Sequence, residues 1–525
     1  MKVKTERYIN QAKLAVVTAF AVGLLVHLFG LVNVMHNNDD IWQLPMGYGT
    51  GLSSGRWLLT ILGDWMLRSG YGYNLPVLNG VVFLGFIAVS AGFFVDLFRV
   101  ENRVSAALMG MLFAVFPSVT SVLFFKYTAI PYGIAILLTV LAAWVLERSR
   151  LGLLWSAICT AMAMGIYQAY APITITLFVL LLIQQALKGK ANAGQIVKRG
   201  LYFCAALIAG VILYFVILKG TLAVYHTALS DYQGVDNMGN LSLGQLPGLL
   251  KRTLGSFLKL PIYDYCGLAN TLLLKILYLL VWAVSGAMVL YILAAKVRDW
   301  KITAGTLVLC ALLPFAMNFV VIMCPDTVLY TLMVYAFVLL PCIPLILLEC
   351  LPENRGKGTR ILQKAAGCIA ALMVFCYAYG ANVNYTSMYY NNRQVENYWN
   401  SIVTQVRMTE GFEPDMEWAI LGVIEDPMLE TGWDYVELYG GNRHTEDLMN
   451  QYSRLAWVRN YMGIQIPEAS EARAAQLAQT QQVRQMPCWP SQGSIQILEN
   501  TVVIKFQDLE YPYTQTGSSF EIEYP

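Results

Sequence analysis

The sequence predicts a polytopic α-helical membrane protein with about eleven transmembrane helices and a C-terminal extracytoplasmic α/β domain. Three observations carry that prediction. Hydrophobic residues make up 57% of the 525-residue chain and charged residues only 13%, about half of the ~25% usual in soluble domains. Apolar runs of roughly 20 residues, the length that crosses a bilayer, recur up to residue 385 and then stop. Lysine and arginine gather on alternate loops between those runs. The net charge of +2 identifies no partner class, and nucleic acid is not an expected partner.

In chain order the spans fall at 14–34, 76–98, 104–124, 127–146, 151–170, 171–187, 201–218, 272–295, 302–323, 328–350 and 365–385. The first is too long for the apolar core of a usual signal peptide, and no small-residue cleavage site precedes the acids that follow it. Only the break Tyr167-Gln168-Ala169-Tyr170-Ala171-Pro172 separates the fifth span from the sixth. Lys2, Lys4, Arg7 and Lys13 precede the first span. The same side then carries Arg99 and Arg103, Arg148 and Arg150, Lys188, Lys190, Lys198 and Arg199, Lys296, Arg298 and Lys301, and Arg355, Lys357, Arg360 and Lys364. That bias places the N-terminus in the cytoplasm. An odd number of spans then puts the tail outside the cytoplasm, together with the first loop.

The expected division is a membrane domain over 1–386, with outer loops at 35–75 and 219–271, and a soluble α/β domain over 387–525. Loops as long as 219–271 are usually functional or disordered. This one carries Tyr225, Tyr232, Leu249, Phe257 and Tyr263, which suits an ordered interfacial structure. Beyond it, residues 394–411 have helical apolar spacing at Val395, Tyr398, Trp399, Ile402 and Val406. MEWAILGVI reads as a buried strand, and TEDLMNQYSRLAWVRNYMG and EARAAQLAQTQQVRQM read as helices. SIQILENTVVIKF reads as two strands turning at Glu499–Asn500. No internal repeat is visible, which counts against inverted-repeat transporters. Ten cysteines lie mostly in apolar runs without metal-ligand spacing, so they read as packing residues and no metal is expected.

Chemistry concentrates in His36–Trp57. Asp39 and Asp40 are adjacent acids just beyond the first span, flanked by Asn37 and Asn38. Solvated acids are common at such places, but a base within hydrogen-bond reach of an acceptor hydroxyl is also what sugar transfer from a lipid phosphate requires. A departing phosphate needs cations or N–H donors, and Arg56 is the nearest cation in sequence. Ser53 or Ser54 is expected to cap an interfacial helix in which Trp57, Ile61 and Trp65 recur every four residues. Lys126, beside Tyr127 in the short second outer loop, is either a phosphate contact or a snorkelling helix end. Tyr167 and Gln168, at the outer end of the fifth span, suit substrate hydroxyls or an ordinary interface position. Lys219 and Lys259 suit phosphate or helix-end anchoring, and Lys275 snorkelling. His226, Asp231 and Asp326 are further candidates on outer loops.

Asn38-Asp39-Asp40, Gly55-Arg56-Trp57, Gly165-Ile166-Tyr167-Gln168-Ala169-Tyr170 and the tail motif MPCWPSQGSIQILENTVVIKF together resemble the Gtr-II-type glucosyltransferases, polytopic enzymes of bacterial envelope glycan modification. The resemblance runs in order over most of the chain. It implies a GT-C-like membrane fold, a polyprenyl-phosphate-glucose donor, and an envelope polysaccharide acceptor on the outer face of the cytoplasmic membrane. It also carries the family's catalytic acids onto Asp39 and Asp40. The chain departs from the family pattern at Lys126-Tyr127, where an acidic residue is expected.

The expected function is therefore metal- and cofactor-independent, inverting hexose transfer, with glucose as the sugar. Arg56 and Trp57, with Lys126 and Tyr127, would bind the lipid phosphate. Which aspartate acts as base stays open. The alternatives are a flippase or transporter of lipid-linked saccharides and a non-catalytic glycan-binding assembly protein. Spans nearly free of charge disfavour ion-coupled transport.

Overall fold

The structure, a computed structural model, describes residues 2–231, 234, 236, 238–239, 244–352, 357–424, 426–429, 432–433 and 438–509. Tyr232, Arg355 and the side chains of Lys2 and Lys4 lie outside what is described. The chain forms two compact units, one of 1–34, 48–383 and 437–441 and one of 35–47, 384–436 and 442–525.

In the first unit, α1 (Lys2–Val32) is followed by the short α2 (Trp57–Arg68), then by α3 (Pro76–Leu97), α4 (Arg103–Val115), α5 (Pro117–Val122) and α6 (Lys126–Arg148). Next come α7 (Gly152–Ile166), α8 (Ala171–Leu187), α9 (Ala193–Val224), α10 (Leu246–Lys259), α11 (Leu272–Lys296), α12 (Trp300–Met317), α13 (Phe319–Met323) and α14 (Leu339–Leu347). The last long helix, α15, runs from Lys357 to Arg407. Among the described residues ten helical stretches are long and apolar enough to cross a membrane, and α7 is a shorter apolar helix over the expected fifth span.

Close helix approach in lipid depends on small residues and on polar groups that find partners across helices. Gly110 of α4 faces the Ala15 backbone of α1, and Gly210 of α9 faces the Ala157 carbonyl of α7. His27 Nε2 on α1 bonds the Ala114 carbonyl at 2.9 Å, and the Thr174 hydroxyl on α8 donates to the Thr139 carbonyl at 3.0 Å. The Tyr278 and Tyr377 hydroxyls share a hydrogen bond of 2.6 Å.

Several expected spans are interrupted. The 104–124 span breaks at Phe116, whose extended ψ of 140° precedes Pro117; the residue before a proline is pushed out of the helical region. The 302–323 span breaks at Asn318, and the 328–350 span begins as a 3-10 helical stretch over Thr331–Val338, kinked at Val334, before α14. The last span does not end near 385 but continues as α15 through the expected 394–411 helix. Within the long loop expected at 219–271, α10 buries Leu249, Thr253 and Phe257 along one face and exposes Lys251, Arg252 and Lys259.

Ser53 and Ser54 do not cap α2. They lie in a 3-10 turn (Leu52–Ser54), and Arg56 takes the N-cap position without a side-chain cap bond. The reason is Gly55: its φ of +72° turns the chain between the serines and the helix, carrying their hydroxyls away from its first N–H groups.

The second unit contains a three-stranded sheet of β1 (Glu417–Leu421), β2 (Ile495–Leu498) and β3 (Thr501–Lys505), in the order β1-β3-β2. β1 runs parallel to β3, and β2 pairs antiparallel with it. The expected hairpin turns at Glu499 (φ +46°) and Asn500 (φ +61°), the two left-handed positions a two-residue turn requires. Val395, Trp399, Ile402 and Val406 of α15 are buried against Trp418, Ile420, Val502 and Ile504 of the sheet. The expected helix over TEDLMNQYSRLAWVRNYMG is broken. It yields α16 (Thr445–Leu448), α17 (Arg454–Ala456) and a π-helical turn over Trp457–Tyr461. Asn450 Oδ1 accepts the Ser453 N–H at 3.0 Å and the Ser453 hydroxyl donates to the Leu448 carbonyl at 2.6 Å, so side chains replace helix bonds there. The following segment forms α18 (Glu471–Ala478) and α19 (Gln481–Gln485).

Asn500→Val, which forces a β-branched residue into the left-handed region, is expected to destabilise the second unit by about 1–2 kcal/mol. Asn500→Gly is expected to match or exceed wild type. Thermal unfolding of the two purified variants checks this.

Candidate functional site

In the second unit, the first-loop acids occupy different environments. Asn37 Oδ1 accepts the backbone N–H groups of Asp39 at 2.9 Å and Asp40 at 2.6 Å. This side-chain turn leads into a 3-10 turn over Asp40–Gln43. The Asp40 carboxylate is fully buried and bonded to His36 Nδ1, itself 2% exposed. Helix α15 grips that histidine from both sides: the His36 N–H donates to Asn392 Oδ1 at 2.8 Å, and Asn392 Nδ2 donates to the His36 carbonyl at 3.0 Å. The Tyr461 ring meets the imidazole edge-on at 5.7 Å. Two further bonds hold the turn, from Trp42 Nε1 to the Tyr452 carbonyl at 3.1 Å and from Asn460 Nδ2 to the Ile41 carbonyl at 3.1 Å.

Asp39 is only half-buried. Burial raises its pKa above the ordinary carboxylate value, against the pull of Arg443 and a hydrogen bond from Tyr452, while neighbouring Asp40 adds to the rise. A carboxylate that is reachable and more basic than usual is suited to taking a proton; one locked on a buried histidine is suited to holding the loop. His36 is the residue that the sequence reading passed over. Its spacing of four from Asp40 was visible, but the partners that bury it come from far along the chain.

In the first unit, Gly55-Arg56-Trp57 and Gly165-Ile166-Tyr167-Gln168 interlock. Gln168 Nε2 donates to the Ser54 carbonyl at 2.8 Å and to the Tyr214 hydroxyl at 3.0 Å. The Tyr214 hydroxyl donates in turn to the Gly55 carbonyl at 2.9 Å. A side chain at position 55 would come within 2.7 Å of both groups, and one at Gly165 would strike the Trp57 ring. Trp57 is thereby buried at 5% exposure. The Arg56 guanidinium lies 4.9 Å over the Tyr167 ring, which stacks on Tyr132 at 4.6 Å, and Arg56 Nη1 donates to the Thr50 carbonyl at 3.2 Å. The cation is thus held over an aromatic face. Tyr48 donates to Asp64 on α2 at 3.0 Å, anchoring the start of the same loop. Gly49 (φ +73°) abuts the Tyr127 ring.

Lys126 opens α6 at 2% exposure, so it is not a snorkelling end in open surroundings. Its carbonyl accepts Asn79 Nδ2 at 3.2 Å. Lys219, His226, Asp231, Lys259 and Asp326 are all exposed. His226 sits in a left-handed turn, and Asp326 lies beside Gly234. Gln168, read from sequence as suited to substrate hydroxyls, is engaged in holding the Ser54–Gly55 turn. Among the described residues no group of three or more His, Cys, Asp and Glu side chains is placed to hold a metal ion.

An acid with a raised folded pKa carries a folding cost that is absent below its unfolded pKa and grows as pH rises through the folded one. Asp39→Asn is therefore expected to raise the melting temperature at pH 7, with the gain closing below about pH 4. Asp40→Ala, which strands a buried partner, is expected to cost about 3–5 kcal/mol. Thermal melts of both variants across pH distinguish the two roles.

The family model described as Glucosyl transferase GtrII matches residues 28–341, well over half of the chain. The match takes in Asp39-Asp40, Gly55-Arg56-Trp57 and Tyr167-Gln168, and stops before the tail motif. No curated protein and no solved structure matches the chain. On the strength of that match, the chain belongs to the GtrII glucosyl transferase family.

Proposed function

We propose that this chain transfers glucose from a polyprenyl-phosphate carrier to an envelope polysaccharide on the outer face of the bacterial cytoplasmic membrane, by direct displacement with inversion. The N-terminus and the basic loops face the cytoplasm in this reading, as the lysine and arginine bias favours, and the second unit is extracytoplasmic. The membrane unit is GT-C-like.

Asp39 takes the proton of the acceptor hydroxyl. The hydroxyl oxygen bonds to the anomeric carbon as the bond from that carbon to the phosphate oxygen breaks, and the carrier phosphate leaves with the electron pair. Arg56, held over the Tyr167 ring, meets the developing charge on that phosphate with a planar fork of N–H donors; buried Lys126, with Tyr127, supports the same role. Asp40 and His36 act through Asp39, fixing the turn on which it stands. No metal takes part in this scheme. The observation that supports the assignment is the contrast between the two acids: Asp39 partly buried with a raised pKa, Asp40 fully buried on His36.

Steady-state transfer from polyprenyl-phosphate glucose by purified protein tests it. Asp39→Asn is expected to lose about 10²–10⁴-fold in kcat with little change in donor KM. Arg56→Ala is expected to raise donor KM, and Arg56→Lys to restore only part of the loss, because an ammonium does not reproduce a stacked, forked guanidinium. Wild-type turnover by Asp39→Asn would remove it as the base.

A further inference from the structure

At the end of α8 remote from Gln168, the first unit has a cavity of about 500 Å³ whose lining includes Arg99, Glu147, Lys188, Lys190, Gln195 and Arg199. The seventeen residues of α8 put about 25 Å between the two ends of that helix. We propose that this cavity is a binding site for a phosphate-bearing anion, such as the head of an anionic lipid.

Three observations separate it from the diffuse positive charge that orients any membrane protein. The first is convergence. Arg199 is committed to Glu147, at 3.1 Å through Nε, and to Gln185 at 2.6 Å. The side chains of Lys188 and Lys190, by contrast, have no hydrogen bond or ion pair among the described residues. Orienting a chain requires positive charge on one side but does not require it to converge on a cavity.

The second is Arg99. Helix α3 ends with the Val100 N–H on the Val95 carbonyl and the Arg99 N–H on the Asp96 carbonyl. This is the helix-end motif whose left-handed position usually goes to glycine. Arg99 holds that position at φ +53°, whereas α8 ends nearby with the usual glycine, Gly189 (φ +65°). The chain thus keeps a cation where the backbone favours glycine.

The third is the beginning of α9. Asn192 and Gln195 form a reciprocal capping box, and the positive end of that helix's dipole lies where Gln195 reaches the cavity wall. Lys188 is held in unfavourable company: burial lowers its pKa, Arg99 and Arg199 push the same way, and Glu349 and Cys350 oppose them. An anion in the cavity would relieve that repulsion. Basic pockets between helices on the cytoplasmic side, to which the charge bias assigns this end, are where anionic lipid heads bind.

The test uses the full-length protein in nanodiscs of phosphatidylcholine alone or with one-fifth phosphatidylglycerol, and in detergent with inorganic pyrophosphate. Retained lipid is read by native mass spectrometry and pyrophosphate binding by titration calorimetry. The triple variant Arg99→Gly, Lys188→Gln, Lys190→Gln is compared with a charge-matched control, Arg150→Gln, Arg298→Gln, Lys301→Gln. The expected result is tenfold or greater loss of binding in the first variant and little loss in the control. Residue-dependent retention of phosphatidylglycerol identifies a lipid head as the source of the phosphate; residue-dependent binding of pyrophosphate alone identifies a free phosphate. Equal loss in both variants, or no residue-dependent binding of either probe, overturns the site. Arg99→Gly by itself relieves backbone strain and is expected to melt no lower than wild type, so a loss of binding by that variant is not a loss of fold.

Discussion

The buried bond between His36 and Asp40 is the interaction on which the form of the first loop depends. It takes one of two adjacent acids out of solvent and fixes it, with Asn392 and Tyr461 closing around the histidine. Its neighbour is left partly buried on a turn held by Asn37, Trp42 and Asn460. Two aspartates of the same chemistry thereby acquire different surroundings from packing alone. A buried carboxyl group needs a hydrogen-bond partner, and that requirement commits Asp40 to His36. A reachable carboxylate with a raised pKa remains available to a substrate.

The first unit shows a comparable logic in its loop. Gly55 gives a left-handed turn, Gln168 and Tyr214 close on its carbonyls, and Gly165 leaves room for Trp57. Together these fix the backbone on either side of Arg56, so its guanidinium can lie on Tyr167. The break between α7 and α8 makes this possible. Irregular backbone within an apolar bundle is tolerated where protein encloses it, and Tyr167, Gln168 and Tyr170 are all buried.

Much of this was legible in the sequence, for reasons of scale. Runs of about 20 apolar residues announce spans whatever packs against them, and Glu499-Asn500 between two apolar stretches announces a hairpin. Broken helices were legible only in part: the proline at 172 marked one break, while Asn318 and the Asn450–Ser453 turn carry weaker local signals. The functional geometry was least legible, because it is made by distant partners. Asn392 lies 356 residues from His36, and Tyr214 lies 159 from Gly55. Nothing near Gln168 in sequence distinguishes a residue that binds substrate from one that secures a turn. Nor does adjacency tell Asp39 from Asp40; only the elements that bury one of them do.

The claim most exposed to test is that the titration of Asp39 governs transfer. The direct measurement is the pH dependence of kcat for wild type, Asp39→Asn and Asp40→Asn under saturating donor. The expected result is an acidic limb in wild type, falling as Asp39 is protonated at a pH above the ordinary carboxylate range. The limb is expected to persist in the residual activity of Asp40→Asn and to be absent from that of Asp39→Asn. An unchanged acidic limb in Asp39→Asn would contradict that claim.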